Sequence, residues 1–96
     1  KILDGNFFSI EPGFYVSNEF GLRLENLYFA KKYSNGIKLE SVTLVPYDLD
    51  LINWKLINNQ EKSSIMKYHQ KIYDTLKGQL ASEYKSYYKK YLINQL

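Results

Sequence analysis

The stretch from Phe7 to Leu27, FFSIEPGFYVSNEFGLRLENL, constrains this chain more than any other. Phe7-Phe8-Ser9-Ile10-Glu11 is short, aromatic and β-branched, and Pro12-Gly13 closes it with a turn signal. Gly21 to Leu27 then alternates with period two. Leu22, Leu24 and Asn26 go to one side, and Arg23, Glu25 and Leu27 to the other. The pattern predicts a strand–turn–strand unit with Glu11 and Glu25 near facing positions. A carboxylate inside an otherwise apolar strand is costly unless a positive charge sits against it. Two readings meet that demand. Arg23 shares the Glu25 face, so one is an ion pair; the other is a cation shared by Glu11 and Glu25. On spacing alone the ion pair has the better claim, because charged pairs are commonly structural.

At 96 residues the chain is one domain or less, near the lower size for a self-sufficient core. It has no cysteine, which removes disulfides and thiolate metal sites and fits a reducing compartment. No apolar run approaches the roughly 20 residues of a membrane span, and the first residues do not read as a signal peptide. The expectation is a cytoplasmic protein that does not engage a membrane. The net charge of +3 is mild. Lys85, Lys89 and Lys90 interleave with Tyr84, Tyr87, Tyr88 and Tyr91, a pattern compatible with nucleic acid or a lipid surface. Glu83 interrupts the charge and no groove-reading motif is present, so a solvated helix is preferred and no nucleic-acid partner is expected.

Farther along, Gly21 fits a close backbone approach or a bulge where the second strand begins. That strand is expected to continue through Tyr28-Phe29-Ala30 and break at Lys31 to Gly36, whose Asn-Gly pair suits a hairpin. Ile37-Lys38-Leu39-Glu40 and Val42-Thr43-Leu44-Val45 read as short strands ended by Pro46. Tyr47 to Asn59 is too apolar for a free linker, with a helical turn expected over Asn53 to Leu56. Asn58 or Asn59 caps a helix carrying Glu61 in its first turn. Ile65, Tyr68, Ile72, Leu76 and Leu80 follow helical spacing, with Met66, His69 and Tyr73 beside them. Gly78 weakens or ends that helix. Ser82 caps a second, in which Tyr84, Tyr88, Tyr91 and Leu92 form an aromatic face. His69 is the sole histidine. It lies mid-helix without a carboxylate at ligand spacing, and is read as structural; Trp54 is read as core.

Ile10-Glu11-Pro12-Gly13-Phe14-Tyr15, then Phe20-Gly21-Leu22-Arg23-Leu24-Glu25-Asn26, resembles the last two metal-ligand motifs of the aminopeptidase P branch of the M24 metallopeptidases. Ser41-Val42-Thr43-Leu44-Val45-Pro46, Asp50-Leu51-Ile52 and Tyr68-His69 resemble the C-terminal extension of the longer members of that branch. Residues 78–96 match loosely, because Tyr91-Leu92 stands where the family usually has tryptophan-leucine. Asn6 likewise stands where a methionine is usual.

The resemblance implies the pita-bread fold, here as an α+β C-terminal portion with antiparallel strands followed by two helices. Residues 1–46 would be the last strands of the catalytic domain and 47–96 the helical extension. It implies a metallo-aminopeptidase that removes an N-terminal residue preceding proline. Its cofactors would be two divalent ions, manganese expected, with Glu11 as terminal ligand, Glu25 as bridge and Arg23 beside them holding charge and geometry. Two of five ligands would lie in this chain, so in isolation it is expected to be inactive and to bind metal weakly or not at all. Asp48 and Asp50 follow the motif and cannot replace the missing ones. Partners would be peptides with proline second, and a second copy in a homodimer. The competing class is a non-catalytic, peptidase-like binding or dimerisation module. Retention of Glu11, Arg23 and Glu25 argues for the enzyme.

Overall fold

A computed structural model describes residues 1–93 and divides the chain into two units, Lys1–Leu44 and Val45–Leu96. The first unit holds five strands: β1 Phe7–Ile10, β2 Gly13–Val16, β3 Phe20–Arg23, β4 Asn26–Tyr33 and β5 Gly36–Ser41. All pairings are antiparallel. One sheet has the order β1-β4-β5, and β2 pairs with β3 alone.

The expected single strand from Gly21 to Ala30 is in fact two, β3 and β4, separated by Leu24 and Glu25. The matching break on the other side is Glu11-Pro12. Pairing ends at Ile10 with Asn26 and resumes at Gly13 with Arg23, so two residues intervene on each strand. The register therefore runs on without a bulge from Phe7 opposite Phe29 to Val16 opposite Phe20. Pro12 has no N–H to give the ladder, and the level keeps one bond, from the Leu24 N–H to the Pro12 carbonyl at 3.0 Å. The hairpin turns through Asn18, whose φ of 59° is a conformation asparagine tolerates better than most residues.

β4 runs three residues past the expected break at Lys31, through Tyr33. Tyr33 pairs with Gly36 around a Ser34-Asn35 loop, and Gly36 takes a φ of 130° open only to glycine. Val42 to Val45, expected as a strand, lies outside the sheet. Val42 N–H still reaches the Leu27 carbonyl at 2.9 Å, but the next bond is taken by a side chain, Leu27 N–H to Thr43 Oγ1 at 2.9 Å. Among the described residues of this unit Ala30 and Asn26 are the buried ones, with Asn26 donating to Ser41 Oγ across β4 and β5. Ile10 is exposed, as are Phe7, Phe14, Phe20 and Leu22.

The second unit opens with two short 3-10 turns of the same design. Asp48 accepts from Asp50 N–H ahead of Leu49–Leu51, and Asn53 accepts from Lys55 N–H ahead of Trp54–Leu56. The pentads Asp-Leu-Asp-Leu-Ile and Asn-Trp-Lys-Leu-Ile are one device used twice: a capping side chain, an inward apolar residue and an outward leucine. Leu49 is buried and Trp54 half-buried, while Leu51 and Leu56 are left out in solvent.

Helix α1, Asn59–Leu76, begins at a full capping box. Asn58 Oδ1 accepts from Glu61 N–H, and Glu61 Oε2 accepts from Asn58 N–H, both at 2.9 Å. Its inward stripe is centred on His69, Ile72 and Tyr73, one position round from the Ile65–Leu80 line that spacing alone suggests. Helix α2, Ser82–Tyr88, starts after Ala81 and has no side-chain cap, so Ser82 is its first residue and not its cap. It passes into a π-helical turn, Lys89–Ile93. Tyr88 is buried against Tyr73, ring centroids 5.6 Å apart, whereas Tyr84 and Tyr87 stand in solvent.

Candidate metal centre

Glu11 and Glu25 are the residues that the two strand breaks leave directly opposite one another, one step beyond the Ile10–Asn26 pair. The Leu24–Pro12 bond marks the next level as hydrogen-bonded, so the glutamates occupy the closer, non-hydrogen-bonded type of pair. Side chains there leave on the same face with Cβ atoms roughly 4.5–5.5 Å apart. Both residues are exposed. Like charges placed directly across a ladder repel, and the sequence keeps two of them together.

Each carboxylate is held by the residue two positions before it on its own strand. Ser9 Oγ donates to Glu11 Oε1 at 3.1 Å, and Arg23 Nη2 meets Glu25 Oε2 at 3.2 Å. Alternation puts Ser9, Arg23, Gly13, Gly21 and Tyr15 on this same face. A Cβ on Gly21 would lie 2.5 Å from Tyr15 Cδ1, and one on Gly13 would lie 2.7 Å from the Tyr15 hydroxyl. The two glycines therefore clear the floor on which the Tyr15 ring lies, reaching back toward the glutamates. Phe14 and Phe20 pack on the opposite face, centroids 6.2 Å apart.

The donor set is hard: two carboxylates with spare lone pairs, exposed and convergent in register, with no soft ligand near them. That chemistry suits a divalent ion of the magnesium, calcium or manganese type. It fits as part of a site only. Among the described residues no group of three or more His, Asp or Glu side chains comes together to hold an ion. Farther along the first unit, Tyr33 hydroxyl donates to Glu40, and that bond raises the Tyr33 pKa above its ordinary value.

In the second unit, His69 is wholly buried. Its Nε2 accepts from Tyr47 N–H at 3.0 Å and its Nδ1 donates to the Leu92 carbonyl at 2.9 Å, which fixes the neutral Nδ1–H form. With both nitrogens taken by backbone, it fastens the segment after Val45 and the π-turn to helix α1. Asp48 is spent on its own turn. Trp54, expected as core, is half-buried.

The sequence pattern of the C-terminal region of peptidase_M24 matches residues 36–95. The chain belongs to the M24 peptidase family. Among curated relatives, a putative Xaa-Pro aminopeptidase of Saccharomyces cerevisiae is 43% identical over 75 residues, which is 75% of this chain and 10% of that protein. A probable Xaa-Pro aminopeptidase P of Fusarium vanettenii is 38% identical over 82 residues, 77% of this chain and 13% of that one. The chain thus spans little more than a tenth of the length of these relatives. Among solved structures, the X-prolyl aminopeptidase of Caenorhabditis elegans, described as a cytosolic enzyme with a di-nuclear active site, superimposes with a TM-score of 0.78 at 21% identity. The match covers 95% of this chain and 16% of that one. The likeness extends the shared architecture to the strands that flank Glu11 and Glu25, which lie outside the family-pattern match. It is mixed sheet and helix of the pita-bread kind. Among the described residues no helix is long and apolar enough to cross a membrane.

Proposed function

We propose that this chain supplies part of the dinuclear metal centre of a cytoplasmic Xaa-Pro aminopeptidase, with Glu11 a terminal ligand, Glu25 the carboxylate shared by both ions, and manganese the metal. The observation that carries the reading is the register that sets the two glutamates face to face, in a chain of M24 membership. When bound, a pair of ions supplies a water acidified toward neutrality and an electrophile for the scissile carbonyl. The protein's own part is to converge two negative oxygens, to orient each through a neighbour, and to keep one cation, Arg23, against the shared carboxylate. The remaining ligands belong, by resemblance, to sequence N-terminal to this stretch, and residues 1–46 and 47–96 divide between catalytic strands and extension. The 96-residue chain by itself then lacks peptidase activity.

The test uses the intact protein, comparing wild type with Glu11→Gln and Glu25→Gln for manganese content and for cleavage of peptides with proline or alanine second. Glu25→Gln should lose both ions and Glu11→Gln one. Activity should fall at least about 100-fold in each, the upper scale seen for disturbed metal surroundings. Full metal content and activity in both variants would overturn the reading.

A homodimer is proposed as well, on the exposure of Tyr84 and Tyr87, aromatic residues of the kind interfaces favour. Light scattering of the intact protein checks it, and a monomer at high concentration refutes it.

A further inference from the structure

We infer that Ser9 is a positioning residue for Glu11, its hydroxyl fixing the rotamer from which that carboxylate meets a divalent ion; this rests on the reading of Glu11 as a ligand. The hydroxyl and the carboxylate leave alternate positions of one strand and meet at 3.1 Å. A carboxylate has about four acceptor positions, and Ser9 occupies one, on Oε1, so the group is oriented while others stay available. The alternative partner of the facing strand is committed elsewhere: Arg23 is paired with Glu25 at 3.2 Å. Each glutamate therefore has its own holder, a neutral donor for Glu11 and a cation for Glu25. That asymmetry matches two roles. A neutral donor orients its carboxylate without cancelling the charge that would attract an ion. A cation tempers the charge of a carboxylate that stands directly across from another.

Solvent exposure separates this role from a structural one. Glu11 is exposed and the Ser9 bond is a surface contact, and such bonds exchange readily with water, so removing this one barely changes stability. A large effect on ion binding could then arise only through the orientation of Glu11. The floor around it is also fixed independently, by Tyr15 over Gly13 and Gly21.

The experiment titrates the intact apo-protein with Mn2+, following free ion by its electron paramagnetic resonance signal, for wild type and for Ser9→Val, Ser9→Thr and Glu11→Gln. Valine and threonine have the same shape and differ by the hydroxyl, and both suit a strand. Ser9→Val should weaken one ion about 10- to 100-fold, while Ser9→Thr stays within about threefold of wild type, on the scale of outer contacts to metal ligands. The unfolding midpoint should be the same for the two. If Glu11→Gln loses an ion but Ser9→Val binds as wild type does, the Ser9 role is overturned and the ligand reading stands. Equal weakening in Ser9→Val and Ser9→Thr likewise overturns it. If Glu11→Gln keeps both ions, the ligand reading fails and the inference with it.

Discussion

Glu11 and Glu25 face one another across an unbroken antiparallel register, yet their holders lie on opposite sides along the strands. Ser9 sits on the β1 side of the pair and Arg23 on the β3 side. The arrangement keeps two like charges adjacent while giving each a separate local anchor.

The Arg23–Glu25 pair is open to water, with side chains about half exposed. Pairs of this kind are worth about 0–1 kcal/mol. Arg23→Gln should therefore leave chemical unfolding of the intact protein within about 0.5 kcal/mol of wild type while weakening manganese binding. Arg23→Lys should restore charge without the planar fork and recover affinity only in part. A parallel fall of stability and affinity in Arg23→Gln would contradict this.

Gly21 is bare because the root of the Tyr15 ring passes over it, and Gly13 because the ring's far end does. Gly21→Ala should cost about 1–2 kcal/mol, as modest overpacking does, and Gly13→Ala less, since the hydroxyl end can swing away. In a Tyr15→Ala background both costs should vanish. A double-mutant cycle measured by denaturant unfolding checks the coupling.

Removal of the capping box weakens α1 at its first turn. Asn58→Ala should destabilise the second unit by about 1 kcal/mol. Adding Glu61→Ala should cost less than the sum of the two single changes, because the two bonds are reciprocal. Amide hydrogen exchange over 59–65 is the readout.

His69→Phe keeps the bulk of the ring and removes both of its bonds. With Tyr47 N–H and the Leu92 carbonyl deprived of their partner, the loss should reach about 2–3 kcal/mol, from two groups at the lower end of 1–3 each. Manganese content should not change. Loss of metal in this variant would contradict the structural reading of His69.

Burial pushes the Tyr88 hydroxyl up to about 12, with Tyr68 adding to the shift. The folded form holds its proton more tightly than the unfolded chain, whose tyrosines ionise near 10. The associated stability is complete below pH 10 and is lost as pH rises from about 10 to about 12. It amounts to about 1–2 kcal/mol once residual contact with water is allowed for. Helical circular dichroism should fall across that window. Tyr88→Phe, which gives up the 3.1 Å bond to the His69 carbonyl, should start less stable and decline less.

Much of the fold is legible in the residues. The alternation of Gly21 to Leu27 announces a strand, Asn58 with Glu61 announces a helix start, and Gly78 lies just beyond its end at Leu76. What eludes periodicity is set by single hydrogen bonds. Pro12 splits one hairpin into two pairings by lacking a donor. Thr43 ends the sheet by putting a hydroxyl where a backbone group would go. The stripe of α1 is displaced toward His69 because that polar ring finds two backbone partners. Spacing rules count His69 as polar and place it outside. Alternation puts Ser9 on the face of Glu11, but its bond depends on a rotamer that no sequence pattern carries.

Pro12 has a mechanical consequence. A hydrogen-bonded pair at that level would ordinarily exchange two bonds, and here only the one from Leu24 is made. Spreading or closing the hairpin there disturbs half as many bonds as at a full rung, so compliance is concentrated immediately beside the opposed carboxylates. The missing rung turns an otherwise stiff ribbon into a flexure, and it lies at the level next to two like charges that repel one another across the ladder.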